Sequence, residues 1–392
     1  MRFFNLFLKK LKKRKNGISA SSEGLVSAGV VLLGFSAGTV LIVLAGRNPA
    51  ELYFSLLQSV SGWYIRWNPD QGGWIVRFNG RYIGEWLALS LPLILCGLSM
   101  AFAARTGLFN IGAEGQYIAG LTAAQVFALY GPPVPFLHWF AAVSAGCAAG
   151  AIWGGLAGFL KARFNVSEVV ATIMMNYIAF YGSRYCTLLI PGTNTHHTPP
   201  FPATSLLANP FLKTITNGSR LNLGLYLTIG AVFLYWIIME KTRLGYALRA
   251  TGFNKDAARY GGINVNAGIT GAMAISGGFA GLAGAVVSLG LFSAGRVLSA
   301  QDGYGFDGIA VALVGNSRAG GTALAGLLFG MLKTAQPLMQ SRQIPKEIAS
   351  IIMGLVVVFI SLRAGIRILL EQQMKKYAAK AMPGLRETPG GK

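Results

Sequence analysis

Ten apolar runs, at roughly 25–46, 85–104, 115–130, 138–160, 167–190, 222–240, 268–288, 305–316, 320–339 and 346–364, dominate the sequence. A chain that places this many runs in lipid must satisfy its backbone hydrogen bonds internally, and runs of this length do so as helices. The expected fold is an all-α polytopic membrane protein with about ten transmembrane helices. Composition agrees: 53% of residues are hydrophobic and 12% charged, against about 25% charged in ordinary soluble domains. With 52 glycines in 392 residues, the helices are expected to approach one another closely.

The net charge of +21 could suit nucleic acid, but its distribution points to topology. With the N-terminus inside, cytoplasmic segments hold 23 of the 34 Lys and Arg residues, external segments 9 and the spans 2, Arg184 and Lys333. That bias follows the positive-inside rule. Both termini are therefore expected in the cytoplasm, beside anionic lipid, with no nucleic-acid partner. Residues 1–24 form a basic cytoplasmic segment, 25–364 the membrane domain and 365–392 a basic tail. The first apolar run lacks a convincing cleavage site and is expected to remain as an anchor. Met1 to Lys15 can lie on the membrane surface or act only as a topology signal.

One polar interruption between spans, Lys241 to Asn266, combines helix formers with a Gly-Phe-Asn break at Gly252 to Asn254 and a stop at Gly261-Gly262. This predicts two short surface helices, more than a linker needs. Inside the membrane region, Arg105 to Gly120 is rich in glycine and polar residues, which must be buried in protein or face a watery path. Asn110 is expected to cap the helix that follows, whose positive end suits a polar solute. Glu114 is read either as structural, beside that dipole end, or as exposed to the path. Asn176 is costly beside lipid and is expected to face other helices or the path. Gly295 to Ile309 is a second interrupted stretch, and Phe306-Asp307-Gly-Ile echoes Phe109-Asn110-Ile-Gly. Paired interruptions in two halves suggest an inverted repeat with a path at its interface.

Other readings are local. Asn48 and Pro49 open a short helix, and Ser167 opens the fifth span. Trp63, Trp67, Trp74 and Trp86 are expected to form an interfacial belt. Cys96, Cys147 and Cys186 all fall in apolar spans and are expected to be buried free thiols. Lys333 is expected to snorkel outward. His196 and His197 lack a third ligand nearby, so no metal site is expected. There is no Gly-x-x-x-x-Gly-Lys-Ser/Thr loop, so any ATP-driven motor must be another polypeptide.

Asp256-Ala-Ala-x-x-x-Gly-Ile263 resembles the cytoplasmic coupling loop of ABC transporter permeases, with Asp in place of the usual Glu. Leu248-Arg-Ala-Thr-Gly-Phe-Asn254, Arg105 to Gly120, Asn165 to Tyr177 and Gly308 to Asn316 look like permeases of the branched-chain amino acid, ribose and nucleoside type, nucleoside permeases above all. The resemblance implies a bacterial inner-membrane importer subunit, not an enzyme. It further implies a second related permease, two cytoplasmic ATPases that use ATP and magnesium, and an external substrate-binding lipoprotein. On this reading Arg249, Asn254, Asp256 and Arg259 meet the ATPase. Asn110, Glu114, Gln116, Asn176 and Asp307 line or shape the path. Nucleosides are the expected cargo, with ribose or another sugar and riboflavin as alternatives within the family. A secondary transporter is the alternative outside it.

Overall fold

A computed structural model describes residues 20–68 and 73–362. The expected surface segment at Met1 to Lys15 and the basic tail at 365–392 lie outside the described residues. Fourteen α-helices are described: α1 Ala20–Leu44, α2 Ala50–Ser61, α3 Arg81–Arg105, α4 Ala113–Tyr130, α5 Leu137–Phe164, α6 Glu168–Leu188, α7 Pro210–Ile215, α8 Gly224–Trp236, α9 Arg243–Phe253, α10 Lys255–Tyr260, α11 Val265–Leu291, α12 Tyr304–Val314, α13 Ala319–Ser341 and α14 Glu347–Ser361. Every one of the ten apolar runs falls on a helix. Four helical segments, Arg81–Arg105, Leu137–Phe164, Gly224–Lys241 and Val265–Leu291, are long and apolar enough to cross a membrane unaided. The difference from ten has a physical reason. Helix α12 has 11 residues and rises only about 16 Å, half of a hydrocarbon core, while α4 and α6 carry buried polar residues that dilute their apolar character.

The centre of the molecule is α11, which packs on α5, α4 and α3. Glycines set that packing. On α5, Gly146, Gly150, Gly154 and Gly158 recur every fourth residue, and a Cβ on Gly150 would stand 2.6 Å from the Cα of Gly281 on α11. Backbone therefore meets backbone, the way membrane helices gain dispersion energy without a hydrophobic drive. Gly281→Val is expected to cost roughly 1–3 kcal/mol of overpacking, read as a lower midpoint of chemical unfolding in detergent.

The large core spans α3, α4, α5, α8 and α11, and a second cluster joins α1, α2, α13 and α14 through Phe329, Ile352 and Val356. Apolar side chains on the outer faces, such as Leu33, Ile152, Leu156 and Phe233, are exposed; lipid would cover them.

Two short sheets are absent from the sequence reading. Strands β1 Trp63–Asn68 and β2 Gly73–Phe78 form an antiparallel hairpin, with Trp63 opposite Phe78 and Trp67 opposite Trp74. Trp86 leaves the expected belt, its indole N–H donating to the Leu327 carbonyl at 2.8 Å. Strands β3 His197–Pro200 and β4 Ala294–Arg296 pair the proline-rich loop after α6 to the chain beyond α11. Of the thiols, only Cys96 is fully buried, and Cys186 is exposed. An apolar run does not say which residues face outward.

Candidate functional site

The break between α3 and α4 is held by a closed polar network. Asn110 is fully buried and exchanges two amide hydrogen bonds with Gln116, at 2.8 and 3.1 Å. Its Nδ2 also donates to Ser276 Oγ on α11 at 2.8 Å, and Ser276 in turn donates to the Ser99 carbonyl on α3 at 2.7 Å. A buried amide left unpaired is costly, so this pairing fixes the three helices against one another.

Asn110 does not cap α4, contrary to expectation, because its side chain is committed to Gln116 and Ser276. The cap comes from another helix. Asn176 on α6 accepts from the Gly115 N–H at 2.8 Å and donates to the Ile111 carbonyl at 3.1 Å. Likewise Ser167 occupies the N-cap position of α6 without a side-chain cap bond, whereas Asn48 accepts from the Ala50 N–H at 2.9 Å, as expected.

Glu114, in the first turn of α4, joins the two halves of the chain. It is fully buried, and its two carboxylate oxygens accept from the backbone N–H groups of Gly303 and Gly305 at 2.8 and 2.6 Å. These are free donors at the start of α12. The starts of α4 and α12 thus meet head to head, and Gly305 lies directly against the Glu114 backbone. One carboxylate serves two positive helix ends.

Asp307 sits apart from this cluster, inside the first turn of α12 rather than before it. Asn110, by contrast, precedes α4, so the sequence echo does not mark equivalent positions. Asp307 pairs with Lys333 of α13 at 2.7 Å. Lys333 therefore turns inward instead of snorkelling, with its ammonium 4.2 Å from the Tyr304 ring centroid. Beside it, Asp302 accepts from Tyr117 Oη at 2.6 Å and forms an ion pair with Arg296.

The polar segment folds as two short helices. Asn254 ends α9 and caps α10, its Oδ1 accepting from the Asp256 and Ala257 N–H groups, both at 3.0 Å. Asp256 and Arg259 are exposed, and Phe253 and Tyr260 are 92% and 95% exposed, so α10 presents an uncovered face. Arg249 is different: it is held by Glu240 at 2.8 Å, and Glu240 also binds Arg105 at the end of α3 at 2.7 Å. Behind this grip α9 approaches the α3–α4 break closely, backbone to backbone, at Gly252. Gly107 has φ +72°, and a Cβ there would stand 3.0 Å from the Cα of Gly252. The sequence reading passed over Ser99, Ser276, Glu240 and the inward role of Lys333. Their partners lie 9 to 177 residues away, and no local pattern announces them.

The family described as branched-chain amino acid transport system / permease component matches residues 82–361. The chain belongs to this family. It is a multi-pass membrane permease of the ABC type, a transport subunit and not an enzyme. The guanosine ABC transporter permease protein NupP of Bacillus subtilis is 38% identical over 358 residues, covering 91% of this chain and 98% of that protein. The nucleoside ABC transporter permease protein NupB of Lactococcus lactis is 34% identical over 365 residues, 91% of this chain and 96% of NupB. The glucose ABC transporter permease protein TsgB13 of Haloferax volcanii is 32% identical over 345 residues, 84% and 85% of the two chains. No solved structure matches.

Proposed function

We propose that this permease imports nucleosides across the bacterial inner membrane as one of two related permease subunits. Two cytoplasmic ATPases would supply the drive and an external lipoprotein the substrate. The chain itself would bind no cofactor, ATP and magnesium being used by the ATPases. The nucleoside reading is supported by the near full-length likeness to permeases named for guanosine and nucleosides; the glucose permease keeps sugars as the second class.

The observation that carries the mechanism is the seat of α9 on the α3–α4 break, Gly252 against Gly107. In this reading the 241–267 segment docks on the ATPase through Asn254, Asp256 and Arg259, and Arg249 acts as an internal strut to Glu240. ATP-driven closure then displaces α9 and with it the break. Asn110, Glu114, Gln116 and Asn176 shape the path from behind, since all four are buried and paired, and Asp307 lines it.

The topology proposed is ten spans within 25–364 and both termini in the cytoplasm, with α12 crossing only part of the membrane. An inverted repeat is supported by the packing. Helix α4 lies on α11 as α12 lies on α3, α5 on α11 as α13 on α3, and α4 on α6 as α12 on α14.

Proteoliposomes holding this permease with the ATPase, second permease and lipoprotein encoded beside it would be given labelled nucleosides, ribose and riboflavin. Nucleoside uptake that stops when ATP hydrolysis is blocked is the expected result. Uptake of ribose or riboflavin alone would replace the nucleoside reading, and uptake indifferent to ATP would replace the ABC mechanism with a secondary one.

A further inference from the structure

Between α12, α13 and α14 lies a cavity of about 470 Å³, lined among others by Asp302, Asp307, Lys333, Gln336 and Ser350, with Phe306 on its wall. That volume lies within the ~300–1,000 Å³ of small-molecule sites. Lys333 is the fifteenth of the 23 residues of α13, so about 12 Å of helix separates it from the far end. Charged groups at such depth are costly and mark functional sites by default.

The charges here are matched. Asp307 faces Lys333, Asp302 faces Arg296, and the nearby Glu114 carboxylate is directed to the Gly303 and Gly305 N–H groups. Such a cavity offers carboxylate acceptors, an ammonium donor, an amide and a hydroxyl, with no cation left over. Phe306 adds a ring that is 41% exposed.

We infer that this cavity is a transit site for a neutral, polyhydroxylated solute bearing a flat ring. The Asp307 carboxylate would accept from vicinal hydroxyls, Lys333 and Gln336 would donate to ring acceptors, and Phe306 would flank the ring. A phosphorylated solute would bring charge that both cations, already neutralised, cannot match. The inference rests on the importer reading and extends it to a place in this chain.

Ser350 is exposed at the cavity and touches Gln336 at 3.3 Å, so S350C is a mild reporter. In the assembled complex, with Cys186→Ser removing the exposed native thiol, a charged water-soluble methanethiosulfonate should label S350C and not the C186S parent. Whichever solute the wild-type complex transports should slow labelling about fivefold near saturation, and a nucleoside monophosphate should not. Labelling that never occurs would mean that the cavity faces lipid, and labelling that the transported solute leaves unchanged would mean that the solute passes elsewhere; either overturns the site. Because protection is scored with the solute shown to be carried, a sugar that both enters and protects would refute the nucleoside reading while upholding the cavity.

Discussion

Glu114→Ala should destabilise the folded permease by roughly 2–4 kcal/mol, the cost of leaving one buried and one half-buried N–H group without acceptors. The donors, on Gly303 and Gly305, belong to the opposite half of the chain. Glu114→Gln keeps one acceptor oxygen and should fall about midway. Chemical unfolding of the purified protein in detergent, followed by tryptophan fluorescence, measures both. Equal midpoints for wild type and alanine variant would mean that the head-to-head junction of α4 and α12 contributes little to stability.

The second large effect is on transport. Asp256→Arg and Arg259→Asp should each reduce ATP-dependent uptake at least tenfold, while insertion and folding stay near normal, because exposed substitutions shift stability by only about 0.5 kcal/mol. Each reversal also opposes the α10 dipole, a loss of about 0.3–1 kcal/mol, too small to unfold the protein. ATPase activity of the complex should uncouple from uptake. Normal uptake at normal expression would remove the docking role of α10.

The sequence was informative where physics is local. Asn254 between a Gly-Phe pair and a helical run specifies a helix stop and a helix start in one residue, and the structure has both. Glycines every fourth residue on α5 similarly foretell close packing. Long-range pairing was not legible. Asn110 is a good cap by type, yet Gln116 and Ser276 claim its amide, and Asn176 from another helix takes the vacant role. Lys333 could reach solvent or Asp307, and only the placement of α12 beside α13 decides. The β1–β2 hairpin was hidden because its tryptophans have an equally good reading as an interfacial belt.

The contact of Gly107 with Gly252 has a mechanical consequence. Side chains between two moving parts act as springs, since rotamer changes absorb the first fraction of any displacement. At this contact backbone meets backbone, and Glu240 ties Arg105 and Arg249 together from the two sides. A dense interior passes strain on instead of storing it. On the proposed coupling reading, a displacement of α9 would therefore reach the broken helix with little loss, and its timing would be set by whatever drives α9.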